Sequence, residues 1–404
     1  MEKQNLNFII FIVVFFSLTL CGQTHAGSKV KSSNPWAGHP ELFSVPKVSW
    51  IDSIGPDYTF LYENAPYKGR PTRVYACYSV PVNYTGKLPA MVLVHGGGGK
   101  AYPKWTQQWA GYGYAAIAMS LNGKDDQGQL IGLPRDDQNF DVGENEATDS
   151  WFYHAAAAII RAVSFLETRV EVDREKIGIM GISWGGFHSS QVVGLDKRLS
   201  AAVIVYGCGE LYKNSVWKRE GRIFSETYCN QLDPDNFLPK AKLPILWINN
   251  NTDHFFPLDS HQSSRKMAGG KNYARIEDNY GHGYELPWKT EDIHRFADSF
   301  LKGNESWPEV PSCRIKGNRI EAKVRCDREI VNVWIVYTCE PDWMHKSVRV
   351  EGNDVWVRTE VTGSLHGKMV SAAIPEKAVA VYLHFKDETG REFSSDYLLT
   401  EKKD

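Results

Sequence analysis

Apolar positions follow two different rhythms along this chain, one up to about residue 302 and another beyond it. In the first part, runs that are apolar at nearly every position (88–94, 114–119, 201–206 and 243–248) fit strands buried on both faces of a sheet. Residues 72–80 alternate with period two, 176–182 set isoleucines against small residues, and 273–276 is a last short strand. Between them lie segments of helical period: 105–112, 150–169, 184–193 and a closing helix over 289–302. The second of these puts Phe152, Ala156, Ile159, Val163, Leu166 and Val170 on one face, with Asp149 as its N-cap. Strand alternating with helix predicts a mostly parallel sheet covered on both sides.

From residue 308 the pattern changes to period-two segments at 319–326, 331–338, 347–350, 355–361, 369–374, 379–385 and 397–399, with no helical stripe between them. A small antiparallel β-sandwich is the expected outcome. The reading is therefore α/β: a larger domain over 27–303, whose residues 27–57 form a polar entry arm, then a linker and a sandwich over 308–404, with no internal repeat. Residues 8–20 form an apolar run too short to span a bilayer and are followed by small residues, so residues 1–26 read as a secretory signal cleaved near Ala26. The expected location is exported, in the periplasm, at the cell surface or outside the cell, with no stable membrane insertion after cleavage. Cys21 follows Leu18-Thr19-Leu20, whereas a lipid-anchored cysteine normally follows a small residue, so lipidation is the lesser reading.

Composition narrows the partners. A net charge of −2 with mixed signs offers no field for nucleic acid or an anionic membrane surface. Thirteen tryptophans and nineteen tyrosines exceed what a core needs, and surplus aromatics line carbohydrate or peptide clefts. Six cysteines follow the signal, and export permits disulfides; Cys208 with Cys229 and Cys313 with Cys326 close the shortest loops. Neither C-x-x-C nor a histidine cluster is present, so no metal or cofactor is expected.

The chemistry centres on Gly181-Ile182-Ser183-Trp184-Gly185, a G-x-S-x-G sequence between a predicted strand and a predicted helix. In a chain with 34 glycines such a pentapeptide arises by chance, so its flanks must decide. Strand 88–94 runs into His95-Gly96-Gly97-Gly98-Gly99, whose uncovered N–H groups suit an oxyanion site; no Gly-Lys-Ser/Thr ending supports a phosphate loop. Asp253 and His282 each follow a strand, so Ser183, Asp253 and His282 should meet at one sheet edge in the order nucleophile, acid, histidine. Glu210 is an alternative acid; Asp259 and Asp278 are weaker, and His254 and His188 read as structural. The long loop 120–146 also leaves this edge, where α/β sheets bind ligands.

These motifs, together with Phe256-Pro257 after Asp253, give residues 60–302 a resemblance to the α/β-hydrolase superfamily. Its dienelactone-hydrolase-like and acetyl xylan esterase-like members are the most similar, and prolyl-oligopeptidase catalytic domains are more distant. Dienelactone hydrolases proper carry cysteine where this chain has Ser183, which moves the reading towards an esterase. The peptidase relatives carry a large N-terminal propeller, whereas about 60 residues precede the hydrolase strands here. The resemblance implies two-step acyl transfer, with the N–H groups of Trp184 and of Gly97 or Gly98 holding the oxyanion. Export, aromatics and the sandwich suit an ester of a polysaccharide or oligosaccharide. Trp184 and Trp288 are candidates for stacking on sugar rings, and Arg135, with Lys218, Arg219 and Arg222, would favour a uronic-acid-rich polymer such as pectin and a methyl ester over an acetate if they face the cleft. The rival readings are a prolyl-oligopeptidase-type serine peptidase and a non-catalytic polysaccharide-binding protein.

Overall fold

The computed structural model describes residues 34–285, 290–346, 349–350, 353–361, 365–366 and 369–400. The signal segment and Cys21 lie outside the described residues, and of the expected strand at 347–350 only 349–350 are described. Three antiparallel strands open the chain: β1 (Val48–Asp52), β2 (Asp57–Glu63) and β3 (Arg73–Ser79). The parallel strands follow as β4 (Leu88–Val94), β5 (Ala115–Met119), β6 (Val172–Ile182), β7 (Leu199–Val205), β8 (Ile245–Asn250) and β9 (Asn272–Glu277). All nine form one sheet in the order β1-β2-β3-β5-β4-β6-β7-β8-β9. Every residue of β4 is buried, as its unbroken apolar run requires.

Three long helices cross over the sheet: α1 (Pro103–Gly111), α2 (Trp151–Glu167) and α3 (Trp184–Leu195). Here the structure corrects several expectations. Helix α2 is buried all round from Trp151 to Leu166, because the arm before β1 packs on the face that the stripe left for solvent. Trp36 of that arm stacks on Tyr153 at 5.3 Å, and its indole N–H donates to the Tyr153 carbonyl at 3.3 Å. The arm is thus a cover that also supplies β1. The N-cap is Ser150, whose hydroxyl accepts from Tyr153 N, and not Asp149, which sits in the preceding single turn. Val170 follows the helix end and is 85% exposed instead of facing the core. Strand β3 is buried on both faces from Val74 onward, contrary to its alternating pattern.

After β7 come two single helical turns, α4 (Leu211–Asn214) and α5 (Val216–Arg219). Helix α6 (Leu258–Met267) separates β8 from β9, and α7 (Asp292–Ala297) closes this half. Among the described residues no helix is long and apolar enough to cross a membrane.

The remaining strands are β10 (Glu309–Lys316), β11 (Arg319–Arg325), β12 (Ile330–Thr338), β13 (Arg349–Val350), β14 (Asn353–Asp354), β15 (Val357–Glu360), β16 (Leu365–His366), β17 (Met369–Ala373), β18 (Ala380–Asp387), β19 (Glu392–Ser394) and β20 (Leu398–Leu399). Two larger antiparallel sheets result, β10-β11-β17-β16 and β15-β12-β18-β19, with β20 also on β18, beside a two-stranded β13-β14 pair. Their inner faces share a core that includes Ile320, Val370, Ile335, Leu383 and Phe385.

All six described cysteines are free, so neither expected disulfide forms. In the β10/β11 hairpin Cys313 stands opposite Ala322, four residues short of Cys326. At about 3.3 Å per residue that offset exceeds the reach of a disulfide. The helical turns α4 and α5 lie between Cys208 and Cys229 in the chain.

The sandwich covers β9, which would otherwise be an open sheet edge. Ile276 of β9 donates its N–H to Ser394 Oγ at 3.0 Å, and its carbonyl accepts from His384 Nδ1 at 3.2 Å. Arg275 pairs with Glu277 and Asp292 and, at 3.4 Å, with Glu392 of β19. Leu258 and Ile276 share an apolar cluster with Trp343, Trp356 and Tyr382.

Candidate active site

Strands β6, β7, β8 and β9 lie side by side and parallel, so the turns after β6, β8 and β9 emerge at one edge. Ser183 occupies the turn from β6 into α3 with φ 59° and ψ −123°, a conformation costly for a residue with a side chain. Neighbouring backbone holds it there: Ser183 N–H donates to Val205 O at 2.8 Å, and Ser183 O accepts from Phe187 N at 2.9 Å. Crowding explains the flanking glycines. A Cβ on Gly185 would press into the backbone oxygens of Val94 and His95, and one on Gly181 into Gly185 O and Ser189 Oγ.

Asp253 is buried, and its Oδ1 accepts the N–H groups of Phe255 at 2.9 Å and Phe256 at 3.0 Å. Its Oδ2 lies 2.7 Å from His282 Nδ1, and His282 Nε2 lies 2.8 Å from Ser183 Oγ. A carboxylate only accepts, which assigns the proton on the imidazole to Nδ1 and leaves the Nε2 lone pair facing the serine hydroxyl. The imidazole is walled by Tyr206, Phe255 and Phe256, with ring centroids at 4.9, 5.1 and 5.9 Å.

His95 does something other than chemistry. Its Nδ1 donates to Gly96 O at 2.6 Å and its Nε2 accepts from Leu121 N at 2.8 Å, fixing the neutral form and bending the glycine loop around the ring. Burial pulls its pKa down to about 4, against the hydrogen bond to Gly96 and with help from the Arg135 charge. Gly97 and Gly98 line a cleft of about 300 Å³ together with Ser183, Trp184 and His282.

The structure brings Arg135 to this cleft but not Arg219 or Arg222. Both of those are exposed, although Arg222 reaches the rim through a 2.9 Å bond to Gln138, which does line it. Trp288 lies outside the described residues. Trp184 is 4% exposed and sits in an aromatic cluster with Trp151, Trp217 and Phe256, so wall packing dominates its role and only an edge meets the cleft. Glu210 is not placed against His282: its side chain pairs with Lys213 and its N–H donates to Asp233. Asp259 accepts from Asn214, Asp278 pairs with Arg358, His254 packs on Phe255, and His188 bonds Gln191 at 2.8 Å.

Sequence reading missed Asp137, Trp217, Phe255 and Tyr284, all cleft-lining. Asp137 pairs with Arg135 at 3.2 Å, and burial raises its pKa against that neighbouring charge. It lies in the 120–146 loop, whose length was the available signal; Trp217 and Phe255 carried none. Missed too was the run Asn249-Asn250-Asn251 at the end of β8, three polar residues after a buried strand. Asn250 Nδ2 donates to Gly281 O at 3.0 Å while its Oδ1 accepts from Thr252 N at 2.9 Å, tying the histidine turn to the acid turn. Among the described residues no cluster of three or more His, Cys, Asp or Glu side chains is arranged to hold a metal ion.

Residues 74–289 match the family model described as "Dienelactone hydrolase family", over half of the chain. An acetyl xylan esterase from Paenibacillus sp. R4 superposes with a TM-score of 0.53 at 22% identity, covering 66% of this chain and 93% of its own. Acetyl xylan esterase 1 from Thermoanaerobacterium sp. JW/SL YS485 gives 0.52 at 19% identity, covering 65% and 89%. An acylaminoacyl peptidase from Pyrococcus horikoshii gives 0.47 at 21% identity, covering 65% and 42%. The two esterase structures share the α/β-hydrolase fold seen here. The chain belongs to the dienelactone hydrolase family and is an enzyme of the hydrolase type.

Proposed function

We propose that the protein is an exported serine carboxylic-ester hydrolase that removes acetyl or methyl ester groups from a polysaccharide or oligosaccharide. The observation that carries this reading is the relay Ser183–His282–Asp253, bonded at 2.8 and 2.7 Å on the wall of an open cleft. Serine is a poor nucleophile by itself. As Ser183 Oγ bonds to the ester carbonyl carbon, its proton passes to His282 Nε2, and Asp253 stabilises the imidazolium that forms. Donors from Trp184 and from Gly97 or Gly98 receive the negative oxygen. Collapse breaks the ester C–O bond, and the alcohol leaves with the proton from His282. Water then attacks the acyl-serine with His282 as base, releasing the acid and restoring Ser183.

The outward positions of Arg219 and Arg222 leave a preference for substrate carboxylates, as in a uronic-acid-rich polymer, resting on Arg135, whose remaining guanidinium N–H groups would have to serve a carboxylate beside its pairing with Asp137. Ser183→Ala tests the chemistry: p-nitrophenyl acetate hydrolysis should fall by at least about 10⁴-fold with the fold intact. A wild-type protein inactive on every ester offered, yet retaining polymer binding, would replace this reading with a binding module. Faster release of proline- or alanine-anilide than of ester products would replace it with a peptidase. Scoring released acetate against released methanol from acetylated and methyl-esterified polysaccharides then identifies the ester.

A further inference from the structure

The sandwich meets the catalytic edge at the two turns that carry Asp253 and His282. Asn279, three residues before His282, has φ 53°, and its side chain exchanges two hydrogen bonds with the backbone of Trp356 in the sandwich. Its Nδ2 donates to Trp356 O at 2.8 Å, and its Oδ1 accepts from Trp356 N at 3.1 Å. Asn279 N–H donates to Asn251 Oδ1 at 2.9 Å, and Asn251 Nδ2 donates in turn to the hydroxyl of Tyr382 at 3.1 Å. That hydroxyl donates to Asp278 Oδ1 at 3.4 Å, and Asp278 pairs with Arg358 at 3.3 Å. Trp356 and Tyr382 are fully buried and Asn279 and Asp278 half-buried, so the sandwich partners of these bonds are shielded from water.

We propose that the C-terminal sandwich is a positioning part of the acyl-transfer site, with Asn279, Asn251 and Tyr382 as the residues that hold the His282 turn in register with Ser183. This rests on reading Ser183, His282 and Asp253 as the acyl-transfer relay. The physical argument starts from the sheet. The His282 turn leaves an edge strand, and among the described residues no tenth strand lies beside it to fix its course. Before the histidine its side-chain ties to its own half are Asn250 to Gly281 O and Asn251 to Asn279 N–H, and Asn251 is itself held by Tyr382; after it, Tyr284 packs on Tyr102 and Trp105. Proton transfer from Ser183 Oγ to His282 Nε2 tolerates little displacement, and a shift of about 1 Å can cost on the order of 100-fold in rate. Appending a domain at this edge supplies rigidity where the sheet cannot.

The test uses the full-length protein. Asn279→Gly keeps access to the left-handed backbone and deletes only the side-chain bonds to Trp356. Its kcat on p-nitrophenyl acetate should fall about 10-fold with KM within about twofold of wild type. The rate at which a fluorophosphonate modifies Ser183 should fall in parallel. Tyr382→Phe should lower both by about threefold. Val370→Ala, in the sandwich core away from these bonds, serves as the control: it lowers Tm and should leave kcat and the modification rate unchanged. The proposal fails if Asn279→Gly and Tyr382→Phe keep wild-type kcat and modification rates, if they change KM alone, or if Val370→Ala slows turnover as much as they do. A wild-type protein inactive on all esters would instead remove the relay reading, a separate and earlier result.

Discussion

Ser183 and His282 are hydrogen-bond partners, yet the two sides of the site are built by different means. The serine side lies in the middle of the sheet, where β6 is flanked by β4 and β7 and the turn is clamped by backbone on every side. Its rigidity is steric: there is no room for a methyl group at Gly181 or Gly185. The histidine side hangs from the last strand of the large sheet, and side-chain hydrogen bonds among Asn250, Asn251, Asn279 and the sandwich brace it. Steric constraints are all or none, whereas hydrogen bonds of about 1 kcal/mol each can be lost singly. The nucleophile turn should therefore fail by unfolding and the histidine turn by degrees.

The sharpest way to break this comparison is Gly185→Ala. The added methyl meets the carbonyl oxygens of Val94 and His95, and both belong to the central strand and its loop. We expect little or no folded protein, measured as soluble yield and a cooperative melting transition; a well-folded variant would show that the turn has slack. Next is Asp253→Asn. The amide oxygen can keep the N–H bonds of Phe255 and Phe256, so the fold should persist while the imidazole loses its carboxylate partner. A fall of about 10⁴-fold in kcat, with Tm little changed, is the expected result.

The smallest effect concerns acid. Glu392 joins β19 to β9, and although burial raises its pKa, His384, Arg275 and Lys386 outweigh burial and bring it down to about 2 from 4.5. A folded pKa depressed in this way means that Glu392 contributes stability in full above about pH 4.5 and loses it as pH falls towards 2. Tm should drop between pH 5 and pH 2.5, and Glu392→Gln should show a shallower drop across the same window because it has no proton to gain. Equal slopes would mean that the junction does not titrate as the geometry implies.

Much of the hydrolase half was legible because buried strands announce themselves as unbroken apolar runs. The motif around Ser183 follows from the same logic, since a turn with that backbone demands glycines at fixed offsets. Helix α2 was read less well: its stripe was real, but the Trp36 arm covers the opposite face, and no periodicity within α2 reveals what arrives from more than a hundred residues away. The disulfide expectation failed for a related reason. Spacing along the chain gave Cys313 and Cys326 a short loop, while hairpin register held them apart.

By itself the sequence determined most of the elements, their parallel order and Ser183 as the candidate nucleophile, since hydrophobic period and turn stereochemistry are local properties. It also named the acid and the histidine as candidates, because each follows a strand. Only the tertiary structure decided which acid faces the imidazole, which of the arginines reaches the cleft, and that a sandwich read as an appendage grips the histidine turn. Those outcomes depend on distances between segments that sequence separation does not encode: Asn279 and Trp356 are 77 residues apart, and folding brings their polar groups to 2.8 Å.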